Sequence, residues 1–446
     1  MRQRTTSWFV PFLICLAAEP AAAQMVPRGT GLTSRGGPTA QGEQGLLARV
    51  SLFGGYDRNA VAEEPDPTRS RDDARFLTGG GFLGFDAMLG YGKRKGAFYF
   101  NGAGWTQQRY FPERQQLVSV DKSAAAAMGL SVPLGSRMAL QLDQAALCTS
   151  NYGFSVFPTA GGLDPVGIRT SVAETGANFG VLPRNLCAFT SRAGGNWRLG
   201  RRSSLSADYR RNYTTFLNES AGLRVQNTEL MFEHGVTRYS SLRLGLIHHD
   251  SRYEQLPESR TGNTLDAGIS YDRPWSISRR TLFRFGFGPA VIDDRGQQRF
   301  RFRGNAGLDH AIGRTWFLDV LYRRDVQYIE GIGDLAFSDA VIGSLEGSLS
   351  PRTMLRMFAT YTGGEIGFAP DAPRYESIAA SAEVRRSLNR FMSVYGGYLA
   401  YHYRLPNTLR VISGLPLGLD RQGARIGLSL QFPPPTSRSL VRRGSR

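Results

Sequence analysis

Apolar and polar residues alternate along most of this chain with a period of two, in segments of about ten to fourteen residues that run from Leu46 to Phe432. In residues 299 to 311, Phe300, Phe302, Ala306 and Leu308 alternate with Arg299, Arg301, Arg303, Asn305 and Asp309. In the next segment Trp316, Leu318, Val320 and Tyr322 alternate with Asp319, Arg323 and Asp325. A period of two puts successive side chains on opposite faces of a β-strand. The connections alternate as well, a tight turn after one segment and a longer loop after the next. Tight turns are read at Tyr91-Gly92-Lys93-Arg94-Lys95, Leu199-Gly200-Arg201-Arg202, Ile312-Gly313-Arg314, Ser350-Pro351-Arg352 and Leu388-Asn389-Arg390, all rich in turn formers. Longer loops are read at 58 to 75, 151 to 186 and 405 to 421.

About eighteen such segments are expected, centred near residues 52, 84, 103, 128, 143, 192, 209, 231, 246, 268, 286, 305, 321, 343, 358, 381, 397 and 427. An even count returns both ends to one side. Strands this long and numerous exceed one soluble sandwich, which would bury its apolar set. Nothing after residue 24 approaches the roughly twenty consecutive apolar residues of a membrane helix, and the mean hydropathy is slightly polar. The pattern therefore predicts an all-β fold, an antiparallel transmembrane β-barrel of about 18 strands over residues 46–432, with short periplasmic turns and long extracellular loops. At that width a barrel encloses an aqueous lumen rather than a packed core. The 53 glycines and the 11% aromatic content suit bent strands with interfacial girdles.

The flanks are read differently. Residues 1–23 have the form of a secretory signal: Arg2 and Arg4, an apolar stretch from Trp8 to Ala18, then Ala21-Ala22-Ala23 before Gln24. Ile14 is too bulky beside Cys15 for a lipid-attachment site. Residues 24–45 form a Gly- and Pro-rich periplasmic linker, too short to hold a plug domain or periplasmic repeats before the barrel. Residues 433–446, after Pro433-Pro434-Pro435, form a basic tail. Cys148 and Cys187 end one strand and begin the next, in an oxidising compartment. A disulfide is expected there, closing a loop of about forty residues and contributing about 4 kcal/mol in the chain-entropy model. Two thiols on the outer rim are the alternative.

The net charge is +17, from 54 Lys and Arg against 37 Asp and Glu. Its placement argues against nucleic acid as a partner. Short turns hold Lys93, Arg94, Lys95, Arg137, Arg201, Arg202, Arg279, Arg280, Arg314, Arg352 and Arg390, with no acid among them. Long loops lean acidic, with Asp57, Glu63, Glu64, Asp66, Asp72, Asp73, Glu254, Glu258, Asp293, Asp294, Glu330, Asp334, Glu365 and Asp371. Basic turns beside inner-leaflet headgroups anchor and orient the barrel. They also concentrate anionic solutes at the periplasmic entrance.

The alternation assigns to the lumen Arg49, Arg192, Asp208, Arg210, Glu229, Glu233, Arg243, Arg284, Arg299, Arg301, Arg303, Asp319, Arg323, Asp325 and Arg356, together with Asp86, Asp143, Asp266, Asp309, Glu346 and Arg425. Such a wall is either a set of salt-bridge ladders lining a wide barrel or a track for a polyhydroxylated or anionic solute. His248-His249-Asp250 and Asp309-His310 are the candidate hydrolytic elements. His249 is assigned inward, and His248 and His310 to the lipid or headgroup side. Neither a nucleophile elbow nor zinc-type spacing accompanies them, so no catalysis, metal or cofactor is expected.

Arg425-Ile426-Gly427-Leu428-Ser429-Leu430-Gln431-Phe432 resembles the terminal signal strand that the barrel-assembly machinery reads in outer-membrane proteins. Arg425, Gly427, Leu430 and Phe432 match its pattern, and the tail after Phe432 departs from it. Residues 151 to 186, after the fifth strand, resemble in layout the loop that narrows the lumen of general porins. That likeness implies a constriction lined by Tyr152, Phe154, Phe157, Asp164, Arg169 and Glu174, an outward cap being the alternative. From Leu46 to Phe432 the chain resembles the large, poorly characterised group of β-barrel porins of Gram-negative bacteria, and within it the eighteen-stranded exopolysaccharide-export porins. The resemblance implies an outer-membrane channel for polar or anionic solutes, with polysaccharide export as one use and a periplasmic polysaccharide-export protein as a partner. Outer-membrane lipids and lipopolysaccharide are the other partners implied. A structural or adhesive barrel, closed by its loops and binding a partner or divalent cations, is the rival expectation.

Overall fold

The structure, a computed structural model, describes residues 44–58, 80–95, 98–112, 120–149, 186–216, 222–237, 239–253, 259–274, 280–294, 297–329, 334–367, 372–405 and 418–432. They form eighteen strands: β1 (Gln44–Arg58), β2 (Gly80–Lys95), β3 (Phe98–Tyr110), β4 (Val120–Leu134), β5 (Met138–Thr149), β6 (Leu186–Arg198), β7 (Ser203–Phe216), β8 (Gly222–Gly235), β9 (Ser240–Tyr253), β10 (Ser259–Pro274), β11 (Thr281–Asp294), β12 (Gln297–Ile312), β13 (Trp316–Ile329), β14 (Asp334–Ser350), β15 (Thr353–Ile366), β16 (Arg374–Ser387), β17 (Met392–Arg404) and β18 (Gly418–Phe432). Each strand pairs antiparallel with the next, and β18 closes on β1 from Ala48↔Phe432 to Arg58↔Gln422. Closure leaves no edge strand, the one way a sheet can span lipid with its backbone polar groups satisfied. The strand count and every expected strand centre agree with the alternation.

Three boundaries differ from the sequence expectation. β1 begins at Gln44 rather than Leu46, and β2 runs through Lys95, so Tyr91–Lys95 is strand rather than turn. β18 begins at Gly418, inside the span read as the 405 to 421 loop. Asp57, Asp293, Asp294, Asp334 and Glu365 were read as loop acids and lie instead within β1, β11, β14 and β15. In each case pairing with the neighbour carried the ladder past the first turn-forming residue. The signal segment, most of the linker, residues 151 to 185 of the long loop and the tail lie outside the described residues.

Turn chemistry sets the register at the short-turn end. Gly135 and Gly313 sit at φ 79° and 64°, the left-handed region that a side chain disfavours. The Asn389 side chain accepts the N–H groups of Phe391 and Met392 at 2.8 Å each. Thr237 Oγ1 does the same for Tyr239 and Ser240. Each side chain substitutes for a backbone acceptor and lets the chain reverse within a few residues.

The two faces are chemically distinct. Leu52, Leu83, Phe302 and Ile426 point outward and are 64%, 65%, 61% and 65% exposed, which no soluble fold leaves around its whole girth. Directly opposed residues share a face, so the ladder carries this assignment around the barrel. The outside is an apolar belt made for lipid, and the protein is a multi-pass outer-membrane β-barrel.

On the inner wall the large rings lie along glycines. A Cβ on Gly427 would fall 2.6 Å from Tyr395, one on Gly84 2.7 Å from Phe53, and one on Gly55 2.8 Å from Phe82. Phe53, Phe82, Phe111 and Tyr395 form one buried cluster across β1, β2 and β17. Laid flat, these rings stiffen the wall without projecting into the lumen.

One junction is incomplete. β12 and β13 pair only from Ile312↔Trp316 to Gly304↔Arg324. Beyond that point β12 stays paired with β11 as far as Asp294↔Gln297, and β13 with β14 as far as Ile329↔Asp334. Above the split, Ile292 from the inward set of β11 packs with Val326 and Phe337 from the outward sets of β13 and β14. Arg301 of β12 lies 5.7 Å from the Phe337 ring centre and 3.9 Å from Glu365 of β15. The upper β11–β12 hairpin therefore overlaps its neighbours. Protein covers edges that lipid could not satisfy.

Candidate pore lining

Starting from the exposed apolar positions, the register places thirteen of the fifteen residues assigned to pore lining on the lumen wall, along with Asp86, Asp143, Asp266, Asp309, Glu346 and Arg425. Arg299 and Arg301 are the exceptions: they belong to the inward set of β12, but in the overlap that face covers the outward Phe337 and Glu365 instead of the lumen. The structure groups most of the assigned residues into two charge networks, and other inward residues form a third.

The first crosses β5 to β13. Arg192, opposite Asp143, donates to Asp208 at 2.5 Å, and Arg210 lies opposite Arg192. Glu229 stands opposite Asp208, and Glu233 opposite Arg243. Arg243 meets Asp266 at 3.1 Å, and Arg303 bridges Asp266 at 3.6 Å to Asp325. Arg323 donates twice to Asp325, at 2.5 and 3.0 Å. Arg284 donates to Asp309 at 2.8 Å, with Asp319 directly opposite Asp309. Arg299 lies opposite Ile292 near the overlap.

The second crosses β14 to β18 and returns through β1 to β2. Arg356 and Glu346 approach to 3.5 Å with side chains 39% and 47% exposed, so this pair presents its charge to the lumen. Glu383 joins Arg385 at 3.0 Å and Arg425 at 3.3 Å. Arg49 lies 3.9 Å from Asp86, which also accepts from Ser51 at 3.0 Å.

The third is small and buried near the long-loop end. Asp57 accepts from Arg421 Nε at 2.9 Å and lies 3.6 Å from Arg109. The guanidinium of Arg109 covers the rings of Phe82 and Phe111. A buried pair like this holds three strands in one geometry, since removing either partner would strand a charge.

Sequence reasoning missed Arg109, Glu383, Arg385 and Arg421 and misread Asp57. Continuing the alternation from Arg49 would have placed Asp57 inward. In β16 the signal is faint because the outward set includes Ala380 and Ala382, too small to mark a face. Glu365, counted toward an acidic mouth, instead pairs with Arg374 at 3.1 Å.

Cys148 and Cys187 are opposed in register and bonded, with Cα atoms 4.1 Å apart. The constriction residues Tyr152, Phe154, Phe157, Asp164, Arg169 and Glu174 lie outside the described residues. His249 faces inward, 2.5 Å from Asn227, while His248 and His310 face outward beside Asn263 and Thr281. Among the described residues no group of three or more His, Cys, Asp or Glu side chains could hold a metal ion. Of the terminal-signal residues, Arg425 and Gly427 face inward and Leu430 and Phe432 outward.

No protein-family model and no curated protein matches the chain. Among solved structures it is similar in shape to OccK2 (OpdF) from Pseudomonas aeruginosa in complex with glucuronate, with 10% identity, TM-score 0.41, and 87% of this chain and 98% of that one covered. OpdQ from the same organism gives 9% identity, TM-score 0.41 and coverages of 87% and 97%. The siderophore receptor PirA from Acinetobacter baumannii gives 6%, 0.40, 87% and 80%.

Proposed function

We propose that this chain is an outer-membrane channel for polar and anionic solutes, acidic polysaccharide among them. The inner wall carries the reading: an eighteen-stranded closed barrel with arginines on most inner faces, of which Arg323 and Arg356 are 38% and 39% exposed. Guanidinium groups held by one or two carboxylates keep donors for passing carboxylates and hydroxyls. The short-turn rim supports it, since Lys93, Arg137, Arg201, Arg202, Arg280, Arg314, Arg352 and Arg390 are all exposed there. Such a rim draws anions from the periplasm. A periplasmic polysaccharide-export protein would dock at that rim, and the barrel-assembly machinery would read Arg425, Gly427, Leu430 and Phe432.

Planar-bilayer recording tests the reading. The wild type is expected to conduct with anion preference, and R356E and R323E are expected to move the reversal potential toward cations. Absence of conductance, even after deletion of residues 151 to 186, would overturn it. A second reading, a barrel closed by its loops that binds a partner or divalent cations at the cell surface, is favoured by one observation. Asp57, Arg421, Thr264, Ser338 and Tyr403 sit near the long-loop end and are at most 2% exposed, so that part of the wall is covered. It predicts no conductance, and loss of cell-surface binding when the loops are removed.

A further inference from the structure

The outer face of β7 to β10 changes character in rows. One row, Ala207↔Leu230↔Leu246↔Leu265, belongs to the apolar belt. Toward the long-loop end follows Tyr209↔Thr228↔His248↔Asn263, then Arg211↔Gln226↔Asp250, then Tyr213↔Arg224↔Arg252. From Leu242 to Arg252 a tilted strand rises about 25 Å, the height of a barrel's apolar band. The last two rows therefore lie at the outer-leaflet headgroups.

Arg224 and Arg252 are directly opposed on that face, both exposed, and Arg211 sits on the adjoining strand in the next row. Like charges directly opposite each other destabilise a strand pair. Among the described residues none of the three arginines has an ion-pair or hydrogen-bond partner, and Asp250 pairs with none of them. Other outward cations at this end do have acids: Arg324 lies 3.5 Å from Asp339, His402 lies 2.6 Å from Asp420, and Arg404 is opposite Glu376. In the opposed pair inside the barrel, Arg192 and Arg210, the Arg192 guanidinium is held by Asp208. The β7–β9 patch is thus a repulsive cluster with no paired counter-charge among the described residues.

We propose that Arg211, Arg224 and Arg252 bind the phosphate groups of an anionic outer-leaflet glycolipid, the lipid A portion of lipopolysaccharide. An anion seated between Arg224 and Arg252 turns their repulsion into two charge-assisted hydrogen bonds. Tyr209 and Tyr213 supply interfacial rings beside it, and the Leu230–Leu246–Leu265 row below receives the acyl chains. The site is independent of what the lumen conducts.

Native mass spectrometry of the full-length barrel in detergent, titrated with lipid A, tests this. The wild type is expected to retain lipid A and to lose about tenfold in affinity for each arginine removed in R211Q, R224Q and R252Q. Dephosphorylated lipid A is expected to bind as weakly to the wild type as intact lipid A does to the triple variant. R201Q/R202Q, at the opposite rim, keeps the folded, heat-modifiable barrel and full lipid A affinity. Equal binding of phosphorylated and dephosphorylated lipid, unchanged affinity in the triple variant, or loss confined to R201Q/R202Q would overturn the site.

Discussion

Asp325 ties the incomplete β12–β13 junction at its upper end, and replacing it with Asn measures what that tie contributes. The carboxylate accepts from Arg303, twice from Arg323 at 2.5 and 3.0 Å, and from the Val326 N–H at 2.8 Å. Its side chain is 6% exposed, against 13% for Arg303 and 38% for Arg323. Breaking a buried pair by removing one charge costs about 3–5 kcal/mol. Two features hold Asp325→Asn to the lower end, about 3 kcal/mol: Arg303 keeps Asp266 at 3.6 Å, and the half-exposed Arg323 is partly hydrated already. No backbone ladder backs up this tie above Gly304↔Arg324. The cost should therefore appear as local opening. Hydrogen exchange in lipid nanodiscs is expected to show the amides of residues 299 to 303 that pair with β11 exchanging roughly a hundredfold faster, with those of β6 and β7 unchanged. A double-mutant cycle with Arg303→Gln should give a coupling energy well above about 0.5 kcal/mol. Uniform exchange across the barrel, or additive single effects, would refute the argument that side chains replace the ladder here.

Two further outcomes follow from the wall. C148S/C187S is expected to lower the unfolding free energy by about 4 kcal/mol in the chain-entropy model, read from guanidinium unfolding with and without reductant; a wild-type curve unmoved by reductant would contradict it. Gly427→Val is expected to cost about 1–3 kcal/mol by displacing the Tyr395 ring, and Tyr395→Ala should recover part of that loss in the same unfolding assay.

The alternation of apolar and polar residues made the strands legible because a membrane imposes it separately on every strand. Phe300 and Phe302 between Arg299, Arg301 and Arg303 are set by one local requirement, lipid on one side and water on the other. Where that contrast is weak, legibility fell. Asp57 resembled a loop acid because Gly54 and Gly55 precede it, and Arg385 was missed beside the alanines of β16.

From the sequence alone come the fold class, the strand count and, in strands as strongly alternating as β12 and β13, the two faces of the strand, since these depend on short stretches and a period of two. Partnership came only with the closed sheet. Arg421 and Asp57 are 364 residues apart and meet because β18 closes on β1. The β12–β13 overlap and the unbalanced Arg224–Arg252 pair likewise depend on which residues oppose one another across strands. Register between strands is a long-range property, set by the energy of the whole ring rather than by any one segment.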